Sequence, residues 1–121
     1  MDAAAYQRGL DLFNAEKFFD AHEVLENVWR ATDGPEKNFL QGLIQAAVAL
    51  HHHSQQNIEG ARSVLLRALQ NLAPYPGSYG GIDLSALRSE LEQWRCALER
   101  NEVTPALPKI QYPVVSTHWP V

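Results

Sequence analysis

Between Phe39 and Leu50 an apolar side chain points to nearly every side of a helix, and that stretch restricts the possible folds more than any other. At 100° per residue, Phe39, Leu43, Ala46 and Leu50 share one face, and Ile44, Ala47 and Val48 continue around it. A helix of this kind cannot lie on a surface. It has to be enclosed, so the flanking segments must supply its cover.

They do so as amphipathic helices. A first helix, about Asp2 to Ala15, puts Tyr6, Leu10 and Phe13 on one side. A second, about Phe18 to Thr32, holds Phe18, Ala21, Val24, Leu25, Val28 and Trp29 within roughly 140° of arc. Asp20 and Glu23 have capping-box spacing near its start. The Asp33-Gly34-Pro35-Glu36 stretch ends that helix and starts the enclosed one, which extends to about Gln55. The fourth follows Asn57, with Ile58, Ala61, Leu65, Ala68 and Leu72 at helical spacing. Residues 74–81, PYPGSYGG, read as a loop, with no hairpin signal before the C-terminus. Asp83 is the expected N-cap of a fifth helix whose buried stripe is Leu84, Leu87, Leu91, Trp94 and Leu98.

After Asn101, prolines at 105, 108, 113 and 120 forbid a sustained helix, while Ile110, Tyr112, Val114, Val115 and Trp119 are too apolar for a solvated linker. The expected organisation is one all-α domain over residues 1–101, a compact bundle of about five helices. An extended Pro-rich tail over 102–121 then packs on that bundle or on a partner subunit. At 121 residues a single core needs neither disulfide nor metal to hold it together.

An offset of 40 residues aligns Ala21, Val24 and Leu25 with Ala61, Val64 and Leu65. Small residues at Gly9, Ala21, Ala49, Ala61 and Ala68 fit two antiparallel helical hairpins, because helices approach closely only where a small side chain faces the partner. The pairs are tetratricopeptide-like in this respect, although the aromatic and proline positions of that repeat are missing.

The formal charge of −4, with ten scattered Lys and Arg residues, gives no footprint for nucleic acid. A lone cysteine, Cys96, excludes an intrachain disulfide. No segment approaches the roughly 18 apolar residues of a membrane span or has the pattern of a secretory leader. A cytoplasmic protein is expected, or one of the plastid stroma if the source is a photosynthetic eukaryote.

Against this apolar background a polar stripe stands out. Gln41, Gln45 and His52 lie within about 40° of one another on the enclosed helix. Unpaired, such groups cost about 1 to 3 kcal/mol each. The second helix offers partners in His22 and Glu26, four apart and on one side, within the sequence H-E-x-x-E; Glu23 points further toward solvent. Imidazole and carboxylate donors at these spacings suit one divalent metal, zinc, iron, nickel or manganese, with His22, Glu26 and His52 as ligands and Glu23 as base on bound water. Trp29, Gln41 and Gln45 would line the pocket or orient a small polar ligand. A hydrogen-bond network that merely locks the helices uses the same residues. Of the His51-His52-His53 run only one member can belong to a given metal site; His51 and His53 read as helix-end surface or interface residues.

Three motifs in order resemble one family, the domain of unknown function 309: F-x-A-H-E-V-L-E-x-x-W over residues 19–29, F-L-Q-G-L-I-Q-A-A-x-A-L-x-H over 39–52 and N-x-x-G-A-x-x-x-L-L over 57–66. The resemblance implies a helical bundle and singles out His22, Glu23, Glu26, Trp29, Gln41, Gly42, Gln45 and His52. Members are often labelled predicted metal-dependent hydrolases. Two further expectations compete with a metal-dependent hydrolase. One is a non-enzymatic interaction or scaffold module that grips a protein partner; the other is a homodimer embraced by its tails.

Overall fold

The computed structural model describes residues 2–112. Five α-helices follow in order: α1 (Ala3–Asn14), α2 (Phe18–Arg30), α3 (Glu36–Ser54), α4 (Ile58–Leu72) and α5 (Leu84–Glu99). Each packs against the next, most extensively α3 against α4. The direction of α2 relative to α3 is fixed at both ends. Phe19 at the start of α2 meets His51 at the end of α3, while Lys37 at the start of α3 lies over Trp29 at the end of α2. The two helices are therefore antiparallel.

Phe39, Leu40, Leu43, Ala46 and Ala47 of α3 have no exposed surface, as a helix apolar all round requires. Close approach depends on two glycines. A Cβ on Gly9 would stand 2.5 Å from Leu25 Cδ2, and one on Gly42 would stand 2.6 Å from Leu72 Cδ2. The small positions of the offset repeat, Ala21, Ala49, Ala61 and Ala68, are all buried.

Helix ends follow local chemistry in three cases. Asp2, Asn57 and Asp83 each accept a hydrogen bond from a backbone N–H three residues on, the last from Ala86 at 3.0 Å. At α2 the outcome differs from the expected capping box: the helix begins at Phe18, ahead of Asp20, so that carboxylate sits in the first turn, where it complements the dipole instead of capping. Helix α2 also stops at Arg30, two residues early, because Thr32 Oγ1 donates to the carbonyl of Val28 at 2.6 Å and Lys37 Nζ donates to the carbonyls of Trp29 and Thr32.

The 74–81 stretch contains a small feature the sequence did not announce. β1 (Ser78–Tyr79) pairs antiparallel with β2 (Ile82–Asp83) around Gly80-Gly81, both at positive φ, as a two-residue hairpin turn demands. Its reason is tertiary: Tyr6 Oη donates to the carbonyl of Gly80 at 2.7 Å. Phe39 packs edge to face with Tyr75 and Tyr79 beside it, and the two tyrosine rings are tilted against each other, with ring centroids 4.8 to 5.7 Å apart.

Beyond α5 the chain returns across the bundle. Trp94 Nε1 donates to the carbonyl of Ala106 at 3.0 Å. The Asn14 side-chain amide bonds both backbone groups of Ile110, donating to its carbonyl at 2.8 Å and accepting from its N–H at 2.7 Å. Tyr112 Oη donates to Asp11. Pro113, Val114, Val115, Trp119 and Pro120 lie outside the described residues.

Candidate functional site

The polar residues separate according to which neighbour their helix gives them. His22 and Glu26, one turn apart on α2, face each other directly, with Nε2 3.0 Å from the Glu26 carboxylate. Arg30, a further turn on, holds the other carboxylate oxygen. A carboxylate only accepts, so in the neutral imidazole Nε2 carries the proton and Nδ1 is left as a lone pair. That Nδ1 is buried and has no hydrogen-bond partner among the described residues.

His22 is also a wall of a pocket of about 290 Å³, together with Phe19, Val48, His51 and His52. The antiparallel packing of α2 and α3 brings the start of one to the end of the other, which places His22 and His52 on the same cavity. The Phe19 ring lies between two imidazoles, 5.5 Å from His22 and 5.3 Å from His51, and is 50 % exposed. His52 Nδ1 is 3.3 Å from the Asn57 amide.

The other residues singled out in the sequence stand elsewhere. Gln45 turns toward α4 and accepts from Asn71 Nδ2 at 2.7 Å. Gln41 is half-buried on α3, and Glu23 is exposed on the outside of α2. Trp29, at the far end of α2, has the Lys37 ammonium 3.9 Å from its ring centroid, a cation–π contact. None of these four lines the pocket. Sequence reasoning missed His51, Val48 and Phe19 as its walls. A lone exposed aromatic beside H-E-x-x-E was the available sign for Phe19.

An imidazole that donates to a carboxylate and keeps its second nitrogen free has the orientation of a metal ligand with its supporting group. Among the described residues, however, no three His, Cys, Asp or Glu side chains are grouped so as to hold an ion. The donor set falls short of the three protein ligands a catalytic zinc takes.

Comparison with known sequences agrees with the motifs that frame this pocket. The sequence model of the domain of unknown function 309 matches residues 6–64, from α1 into α4, and so includes every wall of the pocket. Residues 6–64 carry a DUF309 domain. An uncharacterized protein of Aquifex aeolicus is 38% identical over 82 residues, 67% of this chain and 25% of its own length. The uncharacterized protein YpuF of Bacillus subtilis is 33% identical over 113 residues, 91% of this chain and 64% of its own. The chain thus spans about a quarter of one relative and under two thirds of the other. Within the DUF309 domain, no described helix is long and apolar enough to cross a membrane, and the same holds for the described remainder.

Proposed function

We propose that this DUF309 protein binds a small molecule in the pocket between α2 and α3, with His22, oriented by Glu26, as the polar anchor. The observation that carries the reading is the cavity wall itself, which His22, held by Glu26, shares with His51, His52 and the exposed ring of Phe19. An oriented imidazole also suits proton abstraction from a bound hydroxyl or water, so hydrolysis is the reaction class to test on it. A metal-dependent hydrolysis, which the family resemblance implies, needs at least one donor beyond those grouped here.

The test uses tag-free protein, whose five histidines give a countable set of imidazole resonances. Benzylamine, an ammonium donor on an aromatic body, is expected to move the His22 and His51 signals, and Glu26→Gln is expected to weaken the response by about tenfold or less, the scale of one charge-assisted hydrogen bond. Zinc ion alone is titrated in parallel; stoichiometric binding that His22→Ala abolishes would add the metal to the reading. Should neither probe disturb His22, while His22→Ala alters stability only, the residue is a packing element and the proposal fails.

A further inference from the structure

The strap that returns from α5 is held in the way a groove holds a bound peptide. Groups from three separate elements bond its backbone: the Trp94 indole of α5 donates to Ala106, the Asn14 amide of α1 bonds both polar groups of Ile110, and the N–H of Asp83 in β2 donates to the carbonyl of Gln111 at 2.9 Å. Its side chains alternate as those of an extended segment do, with Pro108 and Ile110 buried and Lys109 and Gln111 exposed. Charge is matched as well. Lys109 Nζ meets the Glu16 carboxylate at 3.0 Å and donates to the carbonyl of Asn14 at 2.8 Å. Main-chain hydrogen bonds that bind, with pockets for alternate side chains that select, are the means by which grooves recognise extended peptides.

The link between α5 and this strap contributes nothing to the grip. Helix α5 is closed off on its own by Asn101, at φ 54°, and by the Glu102 N–H, which donates to the carbonyl of Ala97 at 2.9 Å. Releasing the strap therefore leaves the helix end intact. Among the described residues no hydrogen bond holds 103–105, and Val103 is 95 % exposed. Two β-branched residues followed by Pro105 favour an extended backbone, because the proline ring keeps Thr104 out of the helical region. A link of that kind can reach away from its own bundle as readily as across it.

We infer that the groove formed by Asn14, Glu16, Trp94 and Asp83 is a docking site for residues 106–111 of a second copy, so that two chains exchange straps and form a homodimer. Every bond to the strap is the same whichever copy supplies it, and only the link differs. What the second copy adds lies at that link. Two exchanged links run past each other about a two-fold axis, which brings Val103 against its counterpart in the other chain and removes from water an apolar side chain that the closed monomer leaves bare. The inference is independent of the pocket at His22.

The experiment uses the full, tag-free chain, refolded from an equal mixture of nitrogen-15-labelled and carbon-13-labelled copies. At a total of about 1 mM, comparable with the effective concentration a short link gives a strap in its own groove, dimer and closed monomer are expected within about tenfold of each other by light scattering. Isotope-filtered NMR of the dimer should then show the Trp94 indole proton of one copy against Ala106 and Leu107 of the other. Val103→Asp, a change at an exposed position, is expected to lower the dimer fraction several-fold while the Trp94 indole signal of the closed monomer stays where it was. Asn14→Ala should shift that monomer's strap signals as well. A chain that stays monomeric throughout, a dimer without contacts between copies at Trp94, or a dimer indifferent to Val103→Asp would each overturn the exchange.

Discussion

The two ends of α3 are built from similar materials to opposite effect. At the Glu36 end, aromatic rings crowd together and their polar atoms are spoken for: Tyr6 donates to Gly80, Tyr75 to Pro35, and Lys37 donates to the carbonyls of Trp29 and Thr32 where α2 ends. At the Ser54 end, about five turns away, imidazoles replace the phenols and capacity is left over. His22 Nδ1 has no partner among the described residues, and two cavities open around His51. The contrast teaches where this domain keeps its stability and where it keeps room for a ligand. Hydrogen-bond satisfaction rigidifies one end; incomplete satisfaction is the mark of the other.

The comparison breaks most visibly at Phe39. Phe39→Ala is expected to lose about 3 to 5 kcal/mol in urea unfolding, whereas His51→Ala should stay within about 0.5 kcal/mol of the parent. Equal losses at the two positions would erase the distinction. Gly42→Ala tests the close contact under the middle of α3, and the added Cβ against Leu72 should cost about 1 to 3 kcal/mol. Thermal melts followed by circular dichroism would measure it.

Alkaline pH sharpens the same contrast. Burial, with Tyr79 close by, pushes the Tyr6 phenol well above the usual tyrosine range, and burial together with Glu36 raises Tyr75 and Tyr79. A raised folded pKa means that the neutral phenol stabilises the fold fully below the unfolded value, about 10, and that this contribution fades as pH rises beyond it. Absorbance of phenolate should therefore lag behind free tyrosine and appear with unfolding, while Tyr6→Phe should make the base-induced transition shallower. The smallest effect is expected at His22→Phe. Removing an orphaned lone pair offsets the loss of the Glu26 contact, so unfolding should shift by no more than about 0.5 kcal/mol while the response to benzylamine disappears.

Much of the scaffold was legible because it rests on period. The enclosed character of α3, the amphipathic cover and the cap at Asp83 follow from residue order alone. The hairpin at 78–83 was not, since strands two residues long carry no alternation; only the paired glycines marked it, and what makes them a turn is Tyr6, far away in sequence. The polar stripe shows a different limit. Angular position groups Gln41, Gln45 and His52 on one face, but a helix enclosed on all sides has several neighbours, and Gln45 found Asn71 of α4 instead of α2. His51, set apart from His52 by 100°, still shares its pocket because a cavity at a helix end wraps around the axis.

The enclosure of α3 has a consequence for how such a domain can change. Because neighbouring helices grip it along its length, α3 behaves as a shaft whose two ends are keyed to one another in phase. Inserting or deleting one residue near Ala46 would turn the histidine end by 100° against the aromatic end, so a change in length displaces every contact beyond it, whereas a substitution acts only where it is made.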